Sequence, residues 1–209
     1  MEHDCVVAYA DASLAVDAQG QVALGDGMTA VQGANSETGI CPDVPEGTYL
    51  SDQVQVFGKR PVAFNWLGVD CALLSAHKLG GPKGVGALVL RDGVDVSAVL
   101  RGGGQEQGRR AGTENLIGIA GFGAAADAAA RDLAEGNWAG MVEKRDWLEA
   151  ALVDAAPEAI CVGQGQTRLP NTSCVIVPGW KGETQVMQMD LSGFAVSAGS
   201  ACSSGKSVF

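Results

Sequence analysis

The hydrophobic pattern of this 209-residue chain predicts short strands in its first part. Apolar runs at residues 28–34, 71–74 and 86–90 are brief and bounded by turn residues, which is typical of buried strands. A further strand is expected to end at Asp52, within the segment TYLSDQVQVFGK. These runs are too short for helices of ordinary length, so they favour a sheet.

The second part is predicted to contain helices at residues 114–135, 138–156 and 183–189. Further short strands are predicted at residues 159–162 and 172–177. In the second of these helices apolar side chains recur at helical spacing, as expected for packing in a core or a dimer. We expect a parallel α/β sheet in the first part, and the short strands and helix after residue 136 indicate a smaller α+β unit. We predict a larger domain over residues 1–135 and a smaller α+β domain over residues 136–209.

The connection between the first two predicted strands is short and contains two prolines. Residues 39–46 include Pro42 and Pro45, and parallel strands are normally joined by a crossover of a dozen or more residues. We expect an extended loop there in place of a helix.

Composition and charge exclude some classes of partner. The formal charge is −10 and the pI is near 4.5, which argues against binding to nucleic acid or to an anionic membrane surface. No apolar run is long enough to span a bilayer, and the first residues lack the order of a signal peptide. These features predict a cytoplasmic protein.

The six cysteines show neither a CxxC pair nor a histidine partner at zinc spacing. A disulfide framework is not expected in so large and regular a chain, which again favours a reducing compartment. We expect five of the six cysteines to be small buried apolar residues. The sequence predicts no resident metal site.

The stretch LLSAHKLGGPKGVGAL places Lys78 where an apolar strand enters a glycine-rich turn. Ligands bind at the carboxyl ends of parallel strands in α/β sheets. A lysine beside buried apolar chain favours the neutral amine, the form that condenses with an aldehyde. Ser75 and His77 supply donors for an anionic group nearby. These residues alone also fit a solvated loop lysine in a simple hairpin.

Four blocks in the same order resemble the cysteine desulfurases, pyridoxal phosphate enzymes of the class V aminotransferase fold. The blocks are EHDCVV, SAHKLGGPKGVGAL, GGGQEQGRRAGTEN and VSAGSACSSGK. The resemblance implies a pyridoxal phosphate (PLP)-dependent transferase fold of type I, like that of aspartate aminotransferase. Its sheet is mixed and mostly parallel, its carboxyl-terminal α+β domain is smaller, and both domains are expected to be incomplete here.

The resemblance assigns cofactor contacts to five residues, two in these blocks and three between them. It implies that Lys78 bonds to the cofactor, that His3 stacks on its ring and that Asp52 keeps the pyridine nitrogen protonated. Asn35 is expected near the cofactor hydroxyl and the substrate carboxylate, and Gln55 at the ring hydroxyl. Without the motifs, His3 reads as a terminal residue, and Asn35 and Asp52 read as turn residues.

Two further blocks carry roles by resemblance. Thr113 is expected to reach the cofactor phosphate of a neighbouring subunit, which implies a homodimer, although a helix-capping threonine is compatible with the same position. Cys202 lies in a glycine- and serine-rich loop, where an exposed thiolate can act as a nucleophile. Read alone, Cys202 is an ordinary free thiol. The resemblance also allows Cys202 to be a transient iron–sulfur ligand.

The implied reaction converts L-cysteine to L-alanine. Lys78 removes the α-proton and Cys202 takes the sulfur as a persulfide, which passes to an iron–sulfur scaffold protein or to tRNA thiolation. Leu50 departs from the family, which commonly has a histidine there. The family's amino-terminal phosphate-binding loop and its substrate-carboxylate arginine have no counterpart in the sequence, so we expect a fragment.

Three alternatives stay open on the sequence alone. Selenocysteine lyase, or another class V enzyme, would use the same Lys78 and Cys202. A non-catalytic fragment is the second alternative. A nucleotide-binding domain is disfavoured, because the glycine run at residues 102–104 follows no strand and precedes no helix at the spacing of a dinucleotide fold.

Overall fold

The computed structural model of the chain describes residues 2–199. These residues form two compact units, each built from discontinuous segments. The first unit comprises residues 2–23, 34–43 and 137–199, and the second comprises residues 24–33 and 44–136. The domain boundary expected at residue 136 stays a prediction.

The described helices in chain order are α1 (Asp4–Val7), α2 (Leu116–Ala134), α3 (Ala139–Ala155) and α4 (Gly182–Leu191). The strands are β1 (Leu50–Asp52), β2 (Cys71–Ser75), β3 (Gly86–Leu90), β4 (Ile160–Cys161) and β5 (Val175–Ile176). Single turns of 3-10 helix lie at Phe64–Trp66, Ala76–Lys78 and Gln105–Gly108. The predicted helices and the three strands around Lys78 are therefore confirmed.

The second unit is built on a mixed three-stranded sheet in the order β1-β2-β3. Strand β1 pairs parallel with β2, and β2 pairs antiparallel with β3 from Cys71 opposite Leu90 to Ser75 opposite Gly86. The glycine-rich connection therefore does close a hairpin. Val69 and, in β2, Cys71 and Ala72 are buried, as expected for apolar side chains.

The strand expected at residues 28–34 is irregular. A single parallel bridge joins Ala30 to Leu50, and the backbone N–H groups of Val31 and Gly33 donate to β1 carbonyls at 2.9 and 2.8 Å. Val31 is buried, but Met28 at the start of the run is exposed, so the prediction of a continuous buried strand is wrong.

Helix α2 packs against the 3-10 turn that contains Lys78. Its first turn is capped by Asn115, whose side-chain oxygen accepts from the Gly118 N–H at 3.0 Å. The helix ends just before Gly136, which adopts a φ of 72° that favours glycine.

The first unit contains α1, α3, α4 and an antiparallel hairpin in which Ile160 of β4 lies opposite Ile176 of β5. Leu169 is the largest fully buried side chain of this unit, at 1% exposure. Residues 39–46 form no helix, which confirms the extended connection. No helix within residues 2–199 is both long and apolar enough to cross a membrane.

Candidate functional site

The parallel pairing of β1 and β2 brings two chemically important positions to one edge of the sheet. Leu50 lies opposite Cys71 and Asp52 lies opposite Leu73, so both strands end at the same side. Asp52 is the last residue of β1, and the turn that carries Lys78 follows the last residue of β2. The carboxyl edge of parallel strands is where α/β proteins bind ligands.

The turn of Lys78 is held by close backbone packing. Ala76 is fully buried, while Lys78 is half-buried and His77 is exposed. The N–H of Gly81 donates to the Ala76 carbonyl at 2.9 Å, and a Cβ on Gly81 would lie 2.9 Å from the Cβ of Ala76. A residue without a side chain is therefore needed at Gly81 for the chain to fold back against the lysine turn.

Ser75 and His77 form a polar pair beside the lysine. The Ser75 hydroxyl lies 2.8 Å from the Nδ1 atom of His77. This hydrogen bond orients the imidazole and leaves its Nε2 edge for another group. The two residues that the sequence suggests as donors to an anion are thus adjacent to each other and to Lys78.

Asp52 is buried, with 9% of its surface exposed, and its Oδ1 accepts from the Val54 N–H at 2.9 Å. The next residue extends the parallel ladder, because the Gln53 N–H donates to the Leu73 carbonyl at 3.1 Å. The carboxylate is therefore fixed at the edge of the sheet.

A buried polar chain that the sequence did not reveal supports the backbone beside Asp52. The Gln53 amide donates to the Ser51 hydroxyl at 2.8 Å, and Ser51 donates to the Val31 carbonyl at 2.7 Å. Ser51 and Gln53 alternate with Asp52 along the chain, so they belong to the opposite face of the strand. In the sequence, the alternation of Ser51 and Gln53 with Asp52 in the segment LSDQ was the signal from which this polar chain could have been predicted.

Lys59 is a second residue that sequence reasoning missed. It is buried, and its Nζ donates to the backbone carbonyl of Gln55 at 2.8 Å and to its side-chain Oε1 at 3.3 Å. The preceding Gly58 adopts a φ of 82°, and a Cβ there would lie 3.2 Å from that of Leu79, next to Lys78. The turn of Gln55 and Lys59 therefore packs against the turn of Lys78. A lysine four residues after a predicted site residue was the only sequence signal.

Thr113 belongs to the same unit but is exposed, two residues before the Asn115 cap of α2. It is therefore not the capping residue. The loop before it is held by two arginines: Arg109 Nε donates to Asp95 Oδ1 at 2.7 Å, and Arg110 Nη1 donates to the Gly112 carbonyl at 2.6 Å. The contact of Thr113 with a phosphate stays a prediction.

Two predicted site residues lie in the first unit. His3 is exposed, and its Nδ1 accepts from the Cys5 N–H at 3.2 Å. The Asn35 side-chain oxygen accepts from the N–H groups of Glu37 and Thr38, both at 2.9 Å, and so closes a local turn. The cofactor roles of His3 and Asn35 stay predictions.

Cys202 lies outside the described residues, so its role also stays a prediction. Among the described cysteines, Cys41, Cys71 and Cys161 are buried, whereas Cys174 is half-buried and Cys5 is exposed. The expectation of five buried cysteines is therefore wrong for Cys5, which lies in the short helix α1 near the surface. Within residues 2–199 no three His, Cys, Asp or Glu side chains are grouped to hold a metal ion.

The chemistry of the donor set in the second unit fits a phosphorylated pyridine aldehyde. Lys78 offers an amine for the aldehyde, Asp52 a carboxylate for a ring nitrogen, and Ser75 and His77 polar groups for anionic oxygens. Gln55 adds an amide on the neighbouring turn.

Comparison with known families gives a match over most of the chain. Residues 21–208 match the family model described as aminotransferase class-V. A cysteine desulfurase of Cereibacter sphaeroides is 43% identical over 189 residues, which cover 85% of this chain and 47% of the relative. The cysteine desulfurase NifS of Azotobacter vinelandii is 38% identical over 187 residues, covering 85% of this chain and 46% of the relative. The chain therefore spans about half the length of these relatives.

Solved structures show the same fold. A NifS-like protein from Rickettsia africae superimposes with a TM-score of 0.83 at 29% identity, over 94% of this chain and 60% of that one. A second NifS-like protein gives a TM-score of 0.80 at 32% identity, over 88% of this chain and 55% of that one. The predicted α/β transferase fold is confirmed.

Proposed function

Because this chain belongs to the aminotransferase class-V family, we propose that it is part of a PLP-dependent cysteine desulfurase. Members of this family depend on pyridoxal phosphate. The enzyme would convert L-cysteine to L-alanine and pass the sulfur to an acceptor protein. Since the chain spans about half of its relatives, the activity, the substrate and the partners all belong to the proposal.

The observation that carries this proposal is the shared edge of β1 and β2. Asp52 ends β1 and the Lys78 turn follows the neighbouring parallel strand β2, while the Ser75–His77 pair joins the last residue of β2 to the lysine turn. A carboxylate and an amine at one sheet edge, with donors for an anion beside the amine, are the groups that such a cofactor requires.

When bound, pyridoxal phosphate supplies an aldehyde that bonds to amines and a ring that withdraws electrons from a substrate carbon. Lys78 is the amine that holds the cofactor, and its Nζ then takes the α-proton of the substrate. Asp52 holds a proton on the ring nitrogen through its carboxylate. Ser75 and His77 donate to the phosphate.

Sulfur transfer falls to Cys202 in this proposal. Its Sγ attacks the sulfur of the substrate cysteine, so that an S–S bond forms as the substrate C–S bond breaks. The electron pair of the broken C–S bond stays with the β-carbon, which takes up one proton to become the methyl group of alanine, and Lys78 returns a proton to the α-carbon. The product on the protein is a persulfide, ready for transfer to a thiol of an acceptor.

The partners follow from the same resemblance. Thr113 would reach the cofactor phosphate of a second subunit, which makes the enzyme a homodimer. The sulfur acceptor would be an iron–sulfur scaffold protein or another sulfur carrier, and the enzyme would act in the cytoplasm. The negative charge of the chain disfavours direct contact with nucleic acid.

The test is a visible absorbance spectrum of the purified chain with added pyridoxal phosphate, followed by borohydride reduction and peptide mass mapping. A new absorbance band, with the reduced cofactor attached to Lys78, is expected. The Lys78→Ala variant should lose both signals. Lys144→Ala is the matched control, because Lys144 is an exposed lysine on α3.

Two outcomes would count against the proposal. Attachment of the label to other lysines in the wild-type chain, at the same level as to Lys78, would show adventitious reaction of the aldehyde. The proposed function would be overturned by two results together. The folded chain would form no absorbance band with pyridoxal phosphate, and the protein expressed at the full length of its relatives would release no sulfide from cysteine.

A further inference from the structure

Lys59 is a buried cation beside a residue of the proposed cofactor site. Only 9% of its surface is exposed, and its ammonium group donates to both oxygens of Gln55, at 2.8 Å to the backbone and 3.3 Å to the side chain. Burial of an ammonium group is costly unless such oxygens compensate it. The contact is therefore a fixed feature of this turn.

The local backbone explains why Lys59 returns to Gln55. The N–H groups of Val56 and Phe57 donate to the Gln53 carbonyl at 3.1 and 2.9 Å, and the Lys59 N–H donates to Val56 at 2.9 Å. Gly58 supplies the left-handed φ that joins these turns. The side chain of Lys59 is thus folded back over the start of its own loop.

An ammonium group determines which way a neighbouring amide faces. It carries three donors and no acceptor, so only the oxygen of the Gln55 amide can face Lys59. The Nε2 atom, with its two hydrogens, must then point away from Lys59. In this orientation Gln55 offers hydrogen-bond donors, and not an acceptor, to any group on its open side.

We propose that Lys59 is a positioning residue that orients the Gln55 amide as a donor toward the ring oxygen of pyridoxal phosphate. This inference rests on the proposed function, in which Gln55 contacts that oxygen. A donor amide stabilises the deprotonated oxygen, and the Lys59 ammonium strengthens the amide as a donor by polarising its carbonyl. Lys59 therefore acts through Gln55 without touching the cofactor.

The first experiment needs no cofactor. In the chain labelled with ¹⁵N at glutamine side chains, the Gln55 NH₂ pair is identified by its loss in Gln55→Ala. In the wild type we expect the chemical shifts of this NH₂ pair to differ from those of solvent-exposed glutamines. They should move to the solvent-averaged values in Lys59→Met and stay at the wild-type values in Lys59→Arg, which keeps a cationic donor. Lys144→Met, on the exposed face of α3, should change nothing.

The second experiment is a double-mutant cycle on the Kd for pyridoxal phosphate. Gln55→Ala and Lys59→Met should each raise the Kd about tenfold, the value of one charge-assisted hydrogen bond, and the double variant should be no weaker than either single variant. Additive losses, about a hundredfold together, would mean that Lys59 acts independently of Gln55.

Gln55→Glu gives a test that does not depend on the folding of Lys59→Met. A glutamate keeps an oxygen for Lys59 but has no NH₂ group, so its Kd should rise about tenfold as well. Unchanged affinity in Gln55→Glu would overturn the donor assignment. An unchanged Gln55 NH₂ signal in folded Lys59→Met would overturn the role of Lys59, even if the wild-type chain binds no cofactor and the proposed function itself fails.

Discussion

The guanidinium of Arg168 and the carboxylate of Glu149 meet side by side, with Nη1 to Oε1 and Nη2 to Oε2 distances of 2.8 Å each. Their side chains are only 4% and 3% exposed, and Ser173 donates a further hydrogen bond to Oε1 at 2.8 Å. This pair ties α3 to the connection between β4 and β5. Unlike the Arg145–Asp146 pair of the same unit, in which the aspartate is exposed, both of its side chains are buried.

Removal of one partner should destabilise the protein strongly. Arg168→Met leaves the Glu149 carboxylate buried without its cation, and we expect the free energy of unfolding to fall by about 3–5 kcal/mol. Urea unfolding followed by circular dichroism measures the change. Asp95→Asn is the control: it breaks the exposed Arg109–Asp95 pair and should cost less than about 1 kcal/mol. Equal losses of unfolding free energy in the two variants would contradict the burial of the Arg168–Glu149 pair.

The same pair predicts a pH dependence of stability. The Arg168 guanidinium holds the pKa of the Glu149 carboxyl below its usual range. A depressed folded-state pKa contributes stability that is complete above the unfolded-state pKa of about 4.3 and is lost as the pH falls through the folded-state pKa. The difference in unfolding free energy between wild type and Glu149→Gln should therefore shrink when the pH is lowered from about 7 to about 3. A constant difference would argue against this linkage.

Two glycines of α2 should respond oppositely to alanine. A Cβ on Gly121 would lie 2.9 Å from the ring of Pro82 in the lysine loop, whereas a Cβ on Gly123 meets nothing within 4 Å. Gly123→Ala should stabilise the protein by about 0.5–1 kcal/mol through helix propensity. Gly121→Ala should instead destabilise it by about 1–2 kcal/mol, since the rigid proline ring cannot yield. Thermal unfolding of both variants measures the two changes in stability. Changes of equal sign would refute the packing of α2 on this loop.

The described thiols should differ in reactivity. Burial raises the pKa of the Cys71 thiol, although its hydrogen bond with Tyr49 acts in the opposite direction, and burial also raises the pKa of Cys161. Cys5 is exposed, with its Sγ 3.0 Å from His3 Nδ1. Iodoacetamide should therefore modify Cys5 in the native chain, while Cys71 and Cys161 react only after denaturation. Mass mapping checks this order, and early labelling of Cys71 would contradict the buried β2.

The proposed chemistry separates Lys78 from Cys202. Cys202→Ser should keep the bound cofactor and its absorbance band, because the thiol is not one of the groups that hold it, yet sulfide release from cysteine should fall to background. Lys78→Ala should lose both. Release of sulfide and alanine by the protein at the full length of its relatives is the measurement. Normal sulfide release from Cys202→Ser would remove the nucleophile from the proposal.

Local signals explain which parts of the fold were predictable. Strands β2 and β3 follow from short apolar runs on either side of a glycine-rich turn, and α2 and α3 follow from helical spacing. The segment at residues 28–34 failed as a regular strand because it pairs with β1 through one bridge only. Thr113 was an acceptable cap by residue type, but Asn115 stands one position before the first helical residue and caps the helix.

The sequence by itself determined the family, the α/β class and the identity of Lys78 as the residue to examine, because those depend on local order and residue type. Tertiary structure decided what no local pattern contains. The parallel register of β1 with β2 places Asp52 and the lysine turn at one edge of the sheet. The backbone turns around Gly58 bring Lys59 onto Gln55, and folding brings Arg168 and Glu149 together as a buried ion pair. Each of these relationships depends on the three-dimensional path of the backbone, which sets distances and dielectric surroundings that residue spacing does not specify.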